Sequence, residues 1–362
     1  QFQNFNTLFQ LYSEGEDLDK ADKLLLLPDL INFFLTGRVA AEYTNATTTQ
    51  MVKAASGSWC LHLLEELDLP ARLLPAIISA GTDIGNLKTE IEHETALPDV
   101  RVIAPATHDT GSAIAGAPLD KNWAYISSGT WSLIGIELNA PLINAEAARH
   151  NFTNEGGAYG LIRFLKNVMG LWIFESCRRE WEANGIDANY DAIIAEVAEK
   201  PDLGTFIFAD DARFLNPPSM LAAIGQQLHE TGQNFDERPA AVAKVIFDSL
   251  ALRYASVLRS IDLLTGRKLE GIQILGGGGH NRYLNQLTAD ASGLPARAGL
   301  VEATVVGNVL VQAIAAGRFD SLAEARRHVA DNFKFEEFAP QSSSKLDEAT
   351  KRYAEIEARF GS

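Results

Sequence analysis

Apolar positions in this chain recur with two different periods, and the alternation between them describes a mixed α/β protein. Leu24, Leu25, Leu27, Leu30, Ile31, Phe34 and Leu35 fall at near-helical spacing, interrupted by Pro28. Proline is tolerated in a first helical turn but not in an interior, so a helix is predicted from about Pro28, ended by Gly37. Residues 45–52 mix turn formers with β-branched residues, and Ser56-Gly57-Ser58 leads into a helix predicted over Trp59 to Leu67. Strand-like runs follow at Val100 to Ala104, Trp123 to Ser128, Ser132 to Glu137, Thr205 to Ala209 and Gly271 to Leu275, each bounded by Gly, Pro, Asp or Ser. The longest predicted helix covers Ala240 to Leu264, with Val242, Val245, Ile246, Leu250, Tyr254, Val257, Leu258 and Ile261 on one apolar stripe. Strands separated by helices imply a central sheet, and a domain boundary is expected near Ala117 to Asn122. No repeat of solenoid period is present.

A chain of 362 residues is long for one core and comfortable for two. A net charge of −16 without a local basic patch argues against nucleic acid as a partner. Cys60 and Cys177 lie far apart without metal-ligand spacing, which disfavours a zinc site and fits a reducing cytoplasm. No apolar run reaches the roughly 18 residues that span a bilayer, so no membrane association is expected. The sequence starts at Gln1 in what reads as the middle of a domain, and an N-terminal portion is expected to be missing.

Three segments carry candidate chemistry. Asp109 stands between His108 and Thr110, after a strand and ahead of the small residues Gly111 to Gly116. A carboxylate there is suited to draw a proton from a hydroxyl, and it would equally serve as an ordinary helix N-cap. The turn Ser127-Ser128-Gly129-Thr130 has the hydroxyls and backbone N–H groups to wrap a phosphate, as well as the composition of a plain hairpin turn. Gly276-Gly277-Gly278-Gly279 follows the apolar strand and opens a helix at Asn281, where backbone can approach a nucleotide closely. It lacks the Gly-Lys-Ser/Thr of a P-loop and the spacing of a dinucleotide fingerprint. Asn167 would hydrogen-bond a sugar hydroxyl or cap a helix, and the Glu302 to Gln312 segment, with Gly307 and Val309-Leu310, reads as core.

These residues resemble the FGGY family of carbohydrate kinases, and within it the branch acting on L-rhamnulose. The matching pieces are Phe5-Asn6-Thr7-Leu8, Glu42 to Gln50, Ala106-Thr107-His108-Asp109-Thr110, Ser127 to Leu133, Asn154 to Gly157, Asn167 to Trp172, Phe247 to Ala251, and Gly276-Gly277-Gly278 with Asn281, in the family's order. The resemblance implies an actin-like (ribonuclease H-like) ATPase fold with two domains around a cleft, the first incomplete. Residues 1–117 would be part of the sugar-binding domain and 118–362 the ATP-binding domain. It also implies ATP with Mg2+, and transfer of the γ-phosphate to the C1 hydroxyl of a ketose. By the same likeness Asp109 is the general base, His108, Thr110 and Asn167 lie near the sugar, and Thr130, Gly277 and Gly278 contact ATP; no protein metal ligand is assigned.

Two departures qualify the match. The family's first phosphate loop, an Asp-x-Gly segment, is not in this sequence, so weak or no kinase activity is expected from this polypeptide alone. Glu175 stands where relatives often carry Gln, and its charge beside a triphosphate would weaken ATP binding unless a metal or lysine offsets it. A kinase of L-fuculose, a sugar- or nucleotide-binding module without turnover, and an ATPase on the same scaffold are the alternatives, and oligomeric state is not specified.

Overall fold

The computed structural model describes residues 5–199 and 204–361. The chain groups into two units. The first runs to Pro118 and takes in Ile136–Leu165 and Glu302–Phe333, and the second comprises Leu119–Gly135, Lys166–Val301 and the chain from Lys334 onward.

In the first unit, the helix Leu27–Thr36 begins with Pro28 in its first turn and ends at Gly37, whose φ of 78° is the left-handed conformation that lets its N–H reach Phe33 O. Trp59 does not open a helix. It pairs instead in a two-residue strand with Val52–Lys53, and the helix is Leu61–Glu66, because the indole Nε1 donates to Pro75 O and fixes Trp59 in extended backbone. Leu8, Leu11, Met51, Leu64 and Leu69 form a small apolar core here.

The helix Asp109–Gly116 is buried along almost its whole length and packs on Ala303–Ala315 at backbone distance. A Cβ on Gly307 would lie 1.7 Å from Ser112 O, and one on Gly116 would lie 2.8 Å from Gly307 N. Ser112 Oγ donates to Thr304 O at 2.9 Å, and Thr304 Oγ1 donates to Asp109 O at 3.1 Å. At the other end of the short helix, Arg326 donates to Ile114 O (2.7 Å) and Ala115 O (3.2 Å) and is clamped by Glu137 at 2.8 Å. Ile114 O also accepts the cap N–H of Ala117 at 3.1 Å, and the guanidinium adds a second donor there and one to Ala115 O at the helix C-terminus. Gly307 belongs to this packing as the sequence suggests, whereas Val309 is exposed and only Leu310 turns inward.

In the second unit, Trp123–Ser128 runs parallel to Gly271–Leu275, which runs parallel to Ala296–Ala298. Trp131–Leu138 pairs antiparallel with Trp123–Ser128 in the register Ser128↔Ser132, and Glu336–Phe338 closes the other edge antiparallel. The long helix is Pro239–Thr265, started by its proline and ended by Gly266. Its burial is wider than the apolar stripe, because its polar side chains are partnered inside. Lys244 pairs with Asp248 at 3.1 Å, Tyr283 Oη donates to Asp248, and Arg253 pairs with Asp210 at 2.7 Å and with Glu357.

Thr205 to Ala209 is not a strand. It carries no regular structure up to the turn at Ala209, and its N–H groups go to side chains: Gln233 Oε1 accepts Phe206 N–H, Gln227 Oε1 accepts Phe208 N–H, and Ser249 Oγ accepts Ile207 N–H. Buried side-chain acceptors have taken the place of a neighbouring strand, which an apolar run in a sequence cannot reveal. The helix crossing yields a direct test: Gly307→Ala is expected to destabilise the protein by about 2 kcal/mol or more, read as a lower urea midpoint with unchanged slope, because the clash is with backbone.

Candidate active site

The segment leading into Asp109–Gly116 is held by one buried carboxylate. Glu42 is fully buried, and its Oε2 accepts Thr107 N–H (2.9 Å), Thr107 Oγ1–H (3.0 Å) and Thr44 N–H (3.0 Å), as well as the Thr44 hydroxyl. Thr44 Oγ1 in turn accepts His108 N–H at 3.1 Å. The residues just before Asp109 therefore have their main chain pinned from the Glu42–Ala46 segment.

Asp109 is the first residue of the helix and not its cap; His108 occupies the cap position without a capping side-chain bond. One carboxylate oxygen, Oδ1, accepts Thr110 N–H and, at 3.3 Å, the Thr110 hydroxyl. His108 Nε2 faces the same oxygen at 3.5 Å, and the Asp109 side chain is 78% exposed. A carboxylate anchored by one oxygen at a helix N-terminus, with the remainder in solvent, is oriented without being consumed by its own fold. Thr110 is buried and turned to Asp109. His108, Asp109 and Thr110 are thus brought together in the first unit.

His108 sits over the hairpin formed by Thr153–Gly156 and Ile162–Met169, where Arg163 and Glu155 are directly paired across the strands. Arg163 Nη2 donates to His108 Nδ1 at 2.7 Å and to Glu155 Oε2 at 3.0 Å, while Nε donates to Gly156 O. Burial first, and the Arg163 charge second, hold the His108 pKa below the usual histidine value. Gly156 has no room for a side chain, because a Cβ would lie 2.6 Å from the Tyr43 ring. Glu42, Glu155 and Arg163 are the residues that sequence reasoning passed over as site residues. Glu42 and Glu155 lie inside segments that carry the family likeness, and the only available signal was a charged residue in a stretch otherwise rich in small or apolar side chains.

The remaining predicted residues lie in the second unit. Thr130 is in the turn between Trp123–Ser128 and Trp131–Leu138, and its carbonyl accepts Gly170 N–H (3.2 Å) and Trp172 N–H (3.1 Å). Gly170 must be glycine, since a Cβ would lie 2.6 Å from Gly129 O. Asn167 lies within the strand Ile162–Met169 that leads to Gly170, and is half-buried, so it caps no helix. Gly276 follows Leu275 with φ 81°, and a Cβ on Gly278 would lie 2.0 Å from Ser128 Oγ, while around Gly277 nothing comes within 4 Å. The Thr130 turn and the glycine turn therefore stand side by side beyond the carboxyl ends of two parallel strands, in register at Leu275↔Ser127. Ligands of open α/β sheets are bound at such edges. Glu175 is ion-paired to Arg178 at 2.9 Å, so an arginine on its own helix offsets the charge.

The anchor of the Asp109 segment carries a pH signature. Glu42 N–H donates to Asp29 Oδ1 at 3.0 Å, and burial pushes Asp29 up from 3.8 to about 7 and raises Glu42 as well. Between those two pH values the folded state retains protons that the unfolded state has released, so stability is full below about pH 4 for this group and is lost as pH rises through about 7. Asp29→Asn, which keeps the acceptor for Glu42 N–H, is expected to raise stability at pH 8 relative to the parent and to flatten the decline between pH 5 and 8 in urea titrations. An unchanged slope would show that Asp29 does not titrate in this window.

Comparison with known proteins places the chain in a family. Residues 11–116 match the N-terminal domain, and residues 124–316 the C-terminal domain, of the FGGY family of carbohydrate kinases. A rhamnulokinase of Bacteroides thetaiotaomicron is 41% identical over 96% of this chain and 72% of its own length. One of Enterococcus faecalis is 42% identical over 93% of this chain and 68% of its own. Among solved structures, gluconate kinase from Lactobacillus acidophilus superposes with a TM-score of 0.78 at 15% identity, covering 99% of this chain and 74% of that one. Plasmodium falciparum glycerol kinase with ADP gives 0.78 at 14%, covering 99% and 72%. At such identities the structural likeness speaks to the fold, the two-domain α/β actin-like ATPase fold of sugar kinases. With both family domains matched in order and relatives at this identity along nearly the whole sequence, the chain belongs to the FGGY family of carbohydrate kinases and is a sugar kinase that uses ATP.

Proposed function

We propose that the enzyme phosphorylates L-rhamnulose at its C1 hydroxyl with ATP, giving L-rhamnulose 1-phosphate for L-rhamnose breakdown. The observation that carries the substrate is the identity of about 40% to proteins named rhamnulokinase over almost the entire chain. The L-fuculose reading draws no comparable support. Residues 1–117, with the segments Ile136–Leu165 and Glu302–Phe333 that group with them, would supply the sugar-binding part, and the rest of residues 118–362 the ATP-binding part. Among the described residues no helix is long and apolar enough to cross a membrane, and we place the reaction in the cytoplasm, where ATP is available.

Phosphoryl transfer needs alignment and charge stabilisation more than covalent chemistry. Asp109 is the base: its exposed carboxylate accepts the C1 hydroxyl proton as the oxygen attacks the γ-phosphorus. His108 hydrogen-bonds another sugar hydroxyl, and Thr110 acts through its hold on Asp109. Thr130, Gly277 and Gly278 take the nucleotide, a role supported by the open space around Gly277. Mg2+ would neutralise phosphate charge. Among the described residues no group of three His, Cys, Asp or Glu side chains is placed to hold a metal ion, and we take it to arrive with ATP.

In a chain extended upstream to supply the first phosphate loop, Asp109→Asn is expected to lower L-rhamnulose-dependent ADP release by about 10³-fold, with little change in L-rhamnulose binding by calorimetry. ADP release indifferent to both the sugar and the substitution would overturn the reading. In the glycine turn, Gly277→Val is expected to keep the thermal midpoint while raising the KM for ATP at least tenfold. Gly278→Val is expected to lower the midpoint itself, since its side chain meets Ser128. Equal ATP affinity in the parent and Gly277→Val would remove that turn from the nucleotide site.

A further inference from the structure

We propose that Arg163 is a positioning residue for phosphoryl transfer: by donating from Nη2 to His108 Nδ1 it holds the imidazole as the neutral tautomer, with its proton on Nε2 facing Asp109. The kinetic part rests on Asp109 being the base; the tautomer does not.

A guanidinium has only donors, so the 2.7 Å contact between Arg163 Nη2 and His108 Nδ1 requires Nδ1 to accept. The ring proton must then be on Nε2, the nitrogen 3.5 Å from Asp109 Oδ1. The second hydrogen of Nη2 goes to Glu155 Oε2, which lies 3.7 Å from His108 Nδ1. Three charged groups therefore face the ring: Arg163 and Glu155 from the hairpin strands and Asp109 from its own helix. Two of the three are carboxylates that would favour an imidazolium. The arginine, nearer to Nδ1 than either carboxylate is to the ring, excludes it, and burial acts in the same direction.

The cost of this arrangement is visible. Arg163 is fully buried, and its Nη1 has no hydrogen-bond partner. A buried cation with an unsatisfied N–H is poor for stability, and an apolar side chain of similar size would fill the same space without that penalty. What an apolar side chain would not do is donate to Nδ1. Without Arg163 the ring would take a second proton, bind Asp109 Oδ1 from one nitrogen and Glu155 from the other, and draw the Asp109 carboxylate away from the sugar hydroxyl.

Nitrogen-15 NMR of labelled histidine in the parent protein reads the tautomer directly. At pH 7 we expect an unprotonated Nδ1 and a protonated Nε2 for His108, identified by loss of the signals in His108→Gln. Arg163→Met is expected to raise the His108 pKa by about one pH unit or more and to move the acid limb of the kcat–pH profile upward with it. Glu155→Gln, which keeps the arginine and removes a carboxylate, is expected to shift His108 the other way; should Arg163→Met fail to fold, the tautomer read in the parent decides the matter. A protonated Nδ1 in the parent, or a downward or absent shift in Arg163→Met, overturns the proposal. The intended tautomer and shifts alongside full turnover in Asp109→Asn would instead count against Asp109 as the base.

Discussion

A carboxylate removed from water organises the first unit. Glu42 has no solvent contact, yet one of its oxygens gathers the main chain and hydroxyls of Thr44 and Thr107, and so fixes the two segments on either side of His108. Its other oxygen and Asp29 Oδ2 are buried without partners. Such groups are expensive. They persist where the fold gains definition from them, and here the definition is the position of the Asp109 carboxylate. The adjacent cluster of Arg163, Glu155 and His108 is built on the same terms, buried charge with incomplete pairing around an exposed acid.

On the proposed reading the second unit has a different task, that of letting a large anion approach main chain. Its answer is absence of side chains. Gly276, Gly278 and Gly170 are excluded from bearing a Cβ by Ser128 and Gly129, which draws three separate chain segments to one sheet edge. Gly277, in the same turn, has space around it. A rigid turn with one open position is pre-organised for a ligand, since no side chain must move to admit it. The Arg178 pairing of Glu175 belongs to the same picture, because an uncompensated carboxylate would oppose a triphosphate.

Much of this was legible in the sequence, for identifiable reasons. The strands Trp123–Ser128 and Gly271–Leu275 stand at their expected bounds, because β-branched and apolar residues between turn formers leave few other structures. The long helix departs from expectation by one residue at each end, where Pro239 and Gly266 mark the termini. The grouping of His108, Asp109 and Thr110 at a helix start was legible from their adjacency, and the role of Asp109 is proposed from the family likeness. The strands Thr153–Gly156 and Ile162–Met169 were not, since Lys166, Asn167 and Arg163 break an apolar pattern that only long-range pairing justifies. Thr205 to Ala209 misled in the opposite sense, its N–H groups being satisfied by the side chains of Gln227 on a helix and Gln233 in the loop that follows it. Glu42 and Arg163 stayed hidden because their importance lies in buried partners more than fifty residues away.

The central claim is that an oriented, exposed carboxylate directs phosphate from ATP onto one hydroxyl of a ketose. The most direct measurement is phosphorus-31 NMR of the reaction with L-rhamnulose, following phosphate ester and ADP together. The account predicts a single ester, coupled to the C1 methylene protons, formed in step with ADP, and no ADP without the sugar. Inorganic phosphate released at the same rate with or without L-rhamnulose, or an ester at another carbon, would contradict it.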